Sequence, residues 1–171
     1  RSDMEQDAEF MALYKQVQAY TMVEMERCYA LYQSLRYIIK NNIPGDLAEC
    51  GVWKGGSSML MAKVLRQFGD TNRKIYLYDT FEGMTKPGGM DGAAELAEWE
   101  SKRLSDNSSS WCNSSLEEVK LNMRQAGYPE EQIVFVKGMV EETLPGIRPE
   151  KLALLRLDTD WYASTKHELE C

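Results

Sequence analysis

The stretch GDLAECGVWKGGSSMLMAKVL, residues 45–65, constrains the fold more than any other part of the chain. A short apolar run passes into glycines and then into a helix-like run that opens with small residues. Strand, tight turn and helix in that order form a crossover unit, and parallel strands can be joined only through such crossovers. KIYLYD, residues 74–79, reads as a second strand with no polar alternation after its first residue, as buried parallel strands do. QIVFVKG and KLALLRLD read as a third and a fourth strand, and WYASTKHELE begins a helix. Strands alternating with helices predict an α/β fold, a Rossmann-like parallel sheet with helices on both faces.

Before this unit the chain reads as helical. Phe10, Leu13, Tyr14, Val17 and Tyr20 recur at helical spacing, as do Met25, Cys28, Leu31, Leu35 and Ile38. NNIPGD then ends the second helix with a proline–glycine turn. The division expected is a helical region over residues 1–43 and a sheet domain over residues 44–171. Ser57 or Ser58 is expected to cap the helix after the glycine turn. Residues 80–115, rich in Gly, Ser, Asn and Asp, form a long connection with one helix expected around Ala93 to Leu104. Ser114 and Ser115 precede Glu117 and Glu118 at capping-box spacing, and Gly127 stops the helix that follows.

The chain of 171 residues carries a net charge of −7, and its Lys and Arg are scattered. A basic footprint for a phosphate backbone is missing, so nucleic acid is not an expected partner. No apolar run approaches the roughly 20 residues of a membrane-spanning helix. Cys28, Cys50, Cys112 and Cys171 form no CxxC pair, which disfavours structural zinc and fits a reducing, cytoplasmic setting. The first residue is Arg1 and the last, Cys171, falls within a helix-like run, so both ends read as cut.

In parallel sheets of this kind, ligands sit outside the carboxyl ends of the strands where the strand order reverses. Glu49, Asp79, Lys137, Asp158 and Asp160 lie at or near those ends. A dinucleotide turn reads G-x-G-x-x-G and rests a pyrophosphate on the helix N-terminus. Here the turn reads E-C-G-V-W-K-G-G, with an acid two residues before Gly51. That carboxylate repels a pyrophosphate and attracts an ammonium group. S-adenosylmethionine carries an ammonium and a sulfonium and has no phosphate, so Glu49 favours it. Asp79 suits ribose hydroxyls in either kind of ligand. Side chains at Gly51 or Gly55 are expected to fill space needed by the ligand's methionine arm.

Four blocks in order, GDLAECGVWKGGSS, YDTFEGM, VKGMVEETLP and LRLDTDWYAST, resemble the macrocin-type (TylF-like) O-methyltransferases, from about Cys28 to the end. These are class I S-adenosylmethionine-dependent enzymes that methylate a sugar hydroxyl on macrolides, with magnesium. The resemblance implies that Glu49, Gly51, Gly55 and Ser57 surround the donor's methionine part. It implies Asp79 at the ribose with Thr80 and Phe81 beside it, and Gly138 and Met139 near the adenine. Asp158 is implied as metal ligand and catalytic group beside the acceptor hydroxyl, with Asp160 a second candidate ligand. The acceptor implied is a sugar or polyol.

Similar enzymes complete the metal site with an Asp-Asp pair after a fifth strand, which this sequence does not reach. The piece is therefore expected to be inactive alone, with its last strand an open edge. Other readings stand beside these. The glycines can serve only the turn, Asp79 can cap a loop, and Asp158 and Asp160 can be solvated acids. His167 reads as a surface residue; Trp53 and Trp161 suit packing as well as stacking. The tyrosines of the leading helices suit the core or a contact between copies in a homo-oligomer. A nicotinamide oxidoreductase and a non-catalytic cofactor-binding relative are the rival functions.

Overall fold

The computed structural model of the chain describes residues 3–171. Four strands, β1 (Asp46–Cys50), β2 (Ile75–Asp79), β3 (Ile133–Lys137) and β4 (Leu152–Leu157), form one sheet in the order β3-β2-β1-β4. Every neighbouring pair is parallel. The chain steps outward from β1 through β2 to β3, then returns to lay β4 on the other side of β1. The order reverses between β1 and β4, and a crevice opens above their carboxyl ends.

Eight helices accompany the sheet among the described residues: α1 (Asp3–Gln6), α2 (Ala8–Val17), α3 (Met25–Lys40), α4 (Gly56–Gln67), α5 (Ala93–Lys102), α6 (Leu116–Arg124), α7 (Val140–Thr143) and α8 (Tyr162–Glu170). The stripe Cys28, Leu31, Tyr32, Leu35 and Ile38 buries one face of α3, because residues three and four apart share a helix face. Phe10, Leu13 and Val17 of α2 join them against Met59 to Leu65 of α4. The leading helices thus share the core of the sheet domain. Their aromatic rings are largely spent internally, Phe10 lying 4.9 Å from Tyr29 and 5.5 Å from Tyr32.

Alternation along each strand divides the side chains between two cores. Leu47 enters the larger core with α2, α3, α4 and α6, whereas Ala48 and Cys50 join Tyr76, Tyr78, Val136, Val140 and Leu144 on the opposite face. Glu49 therefore shares Leu47's face and looks toward α4. On β4, Leu154 packs on that same face, so Arg156 follows it two residues later. The register pairs Glu49 with Arg156 directly.

The helix ends show where local signals held. Ser115 caps α6, accepting the Glu118 amide at 3.2 Å, and Ser114 Oγ donates to the Glu118 carboxylate at 2.9 Å. The expected cap of α4 is not formed. Gly55, at φ +88°, precedes the helix with no side-chain cap, and Ser57 and Ser58 lie inside the first turn. Ser58 instead spends its hydroxyl on Glu49. The long connection holds α5, two residues shorter than expected, and is pinned by the buried Trp99, whose Nε1 donates to Met84 O at 2.8 Å. β4 pairs with β1 alone and leaves Leu152 and Leu155 exposed. Among the described residues no helix is long and apolar enough to cross a membrane.

Candidate functional site

The crevice begins where two strand ends touch. The Asp158 amide donates to Cys50 O at 2.8 Å, and the Gly51 amide donates to Tyr78 O at 3.0 Å. Gly51 sits at φ +83°, and a Cβ there would lie 2.2 Å from Asp158 O. Only glycine fits so close an approach. One half of the crevice is lined by Tyr78, Thr80, Gly138, Met139, Glu141 and Trp161. The other is lined by Thr21, Glu49, Trp53, Ser57, Cys112 and Asp160. Gly51, Asp79, Gly83, Met84 and Asp158 belong to both.

Asp79 ties the glycine turn to the end of β2. Its Oδ2 accepts the amides of Val52 at 2.6 Å and Trp53 at 3.2 Å, and its Oδ1 accepts the Phe81 amide at 2.7 Å. Burial pushes this carboxyl up, and the three amides pull the other way. A carboxylate offers about four acceptor directions, so the tie leaves room for a further donor. Thr80 Oγ1 donates to Gly83 O at 2.9 Å, and the Gly138 amide donates to Asp79 O at 3.0 Å. Met139 follows at the start of α7.

Two residues expected beside the ligand, Phe81 and Gly55, line neither half of the crevice. Phe81 is 3% exposed, and its ring enters the larger core 6.4 Å from Phe135, because φ +54° turns it away from the crevice. Gly55 lines neither half of the crevice; a Cβ there would meet Val119 of α6 at 3.3 Å, so its small size serves the helix contact.

Beneath the turn lies a buried charged cluster. Glu49 is 1% exposed, its Oε2 accepts from Ser58 Oγ, and its Oε1 accepts from Arg156 Nη1 at 2.7 Å. The same guanidinium reaches Asp158 Oδ2 through Nη2 at 3.0 Å. Burial drives the Glu49 carboxyl up to about 7, with the Arg156 charge and the Ser58 hydrogen bond opposing. Glu49 was expected to face a ligand; it forms the crevice floor, and each oxygen keeps one acceptor direction beyond these two bonds. Arg156 was not foreseen. Its signal was a lone basic residue within the apolar run LALLRLD, where a buried charge demands a partner.

A family profile described as Macrocin-O-methyltransferase (TylF) matches residues 2–171. The chain belongs to this family. Among its TylF-type relatives is the 8-demethyl-8-(2,3-dimethoxy-alpha-L-rhamnosyl)-tetracenomycin-C 4'-O-methyltransferase of Streptomyces olivaceus, 38% identical over 89% of this chain and 56% of the relative. Another is the demethyldecarbamoylnovobiocin O-methyltransferase of Streptomyces niveus, 37% identical over 86% of this chain and 54% of the relative. The solved O-methyltransferase NovP superposes with a TM-score of 0.77 at 34% identity, covering 88% of this chain and 60% of that one. The chain thus spans little more than half the length of the curated relatives it matches.

The metal that the family resemblance implies finds an incomplete donor set. Asp158 and the exposed Asp160 are the two carboxylates that end β4, and Asp158 is already engaged by Arg156. Among the described residues no group of three or more His, Cys, Asp or Glu side chains is arranged to hold a metal ion. Magnesium takes a near-octahedral set of oxygens, which these two acids do not complete. His167 lies near the end of α8, its Nε2 3.5 Å from Cys171 Sγ. Trp161 donates through Nε1 to Thr85 O at 2.9 Å and meets Trp111 edge-on at 5.9 Å. Glu168 of α8, 5% exposed, accepts from Thr159 Oγ1 at 3.3 Å, and burial raises its carboxyl to about 7.

Proposed function

We propose that the protein to which this chain belongs moves a methyl group from S-adenosylmethionine to a hydroxyl of a small molecule, a sugar or another polyol, and that this chain supplies the donor site. The supporting relatives are named O-methyltransferases of a rhamnosyl tetracenomycin and of demethyldecarbamoylnovobiocin. One observation carries the donor assignment. The described residues lining the crevice include Glu49, Asp79, Glu141, Asp158 and Asp160 and no Lys, Arg or His. Arg156 offsets one of these five charges from beneath, and the acids that remain repel a pyrophosphate and favour a ligand that bears an ammonium and a sulfonium.

In this reading Glu49, Gly51 and Ser57 surround the methionine part, Asp79 and Thr80 hold the ribose, and Gly138 and Met139 border the adenine. Gly55 and Phe81 shape the frame around them. A lone pair on the acceptor oxygen attacks the methyl carbon in line with the leaving sulfur. The O–C bond forms as the C–S bond breaks, the electron pair stays on sulfur as a neutral thioether, and the hydroxyl proton passes to Asp158. Most of the task is positioning.

Calorimetry tests the assignment. S-adenosylmethionine is expected to bind and NADH is not. Asp79→Asn is expected to weaken donor binding at least tenfold, whereas Asp158→Ala leaves it within threefold. NADH binding without S-adenosylmethionine binding would overturn the proposal in favour of an oxidoreductase.

A further inference from the structure

We propose that Arg156 is the positioning residue of the donor site, acting through Glu49 and fixing the direction of that buried carboxylate without touching the donor. This rests on the donor reading above. Arg156 lines neither half of the crevice, yet it is the registered partner of Glu49 on the neighbouring strand. Its planar fork spans two acids, Nη1 on Glu49 at 2.7 Å and Nη2 on Asp158 at 3.0 Å. From the opposite side Ser58, in the first turn of α4, holds the other Glu49 oxygen. The carboxylate is thereby clamped between β4 and α4, and its remaining acceptor directions are left for the crevice.

The charges make the arrangement selective. The guanidinium on Glu49 favours the charged form of that buried carboxylate, which is the form an ammonium recognises. A lysine offers no fork and reaches one acid at a time. Field and positioning then predict opposite results. Removing a cation beside a cation site tightens binding if only the field matters. It weakens binding if Glu49, left buried without its partner, protonates or swings away.

The test is calorimetry on the whole protein to which this chain belongs, with two probes, S-adenosylhomocysteine, which carries the ammonium, and 5′-methylthioadenosine, which lacks it. Arg156→Met is expected to weaken S-adenosylhomocysteine at least tenfold and to leave methylthioadenosine within twofold. Arg156→Lys is expected to recover part of the loss. Glu49→Gln with Arg156→Met is expected to bind no more weakly than Glu49→Gln alone, and this neutral pair carries the test if Arg156→Met does not fold. Unchanged or tighter S-adenosylhomocysteine binding by Arg156→Met, equal losses for both probes, or additive losses in the double variant overturn the inference alone. Failure of the wild-type protein to bind either probe overturns the donor reading and this inference with it.

Discussion

Gly51 and Glu168 show how single residues set the crevice. A methyl group on Gly51 would collide with the backbone carbonyl of Asp158, an atom that cannot turn aside. Gly51→Ala is therefore expected to cost about 3 kcal/mol or more in urea unfolding. Gly69, also at positive φ but with open space around its Cβ, isolates the strain, and Gly69→Ala is expected to cost about 1 kcal/mol. Glu168 makes the fold sensitive to pH. Its folded carboxyl lies near 7 against an ordinary 4.5, so its contribution is intact below the lower value and lost as the pH rises through the higher. Wild-type stability is expected to fall from about pH 5 to about pH 8, partly through Glu168, and Glu168→Gln to be more stable by about 1–2 kcal/mol near pH 8.5, read by thermal or urea unfolding. Glu49, raised by the same cause, adds to this slope and remains in the variant. The place of Glu49, Gly51 and Asp79 at strand ends beside the crevice could be read from sequence, because each ends or follows a local apolar run. Arg156 could not, because its role exists only once β4 is laid beside β1.

At the scale of elements, the sequence showed clearly those units whose signals are local. The stripe on α3, the apolar runs of β2 and β3 and the serine before α6 depend on neighbours a few residues away. Ser115→Ala is expected to cost about 1 kcal/mol in stability, since it removes an N-cap acceptor and leaves the Glu118 amide unmatched. The start of α4 misled because two claims fell on one pair of serines. Ser58 is bonded to a carboxylate from another strand, a tertiary demand that no local pattern records. The ring of Phe81 and the contact of Gly55 with Val119 are similar, since each is decided by an element distant in sequence.

For the molecule as a whole, the reversal of strand order gathers residues from positions 20 to 164 around one crevice. Asp79 has a consequence for how a guest is received. Because three main-chain amides already converge on its carboxylate, the bend beside it is moulded in advance, and an arriving molecule meets a rigid seat. Little disorder is surrendered on docking, so less of the contact energy goes into assembling the wall.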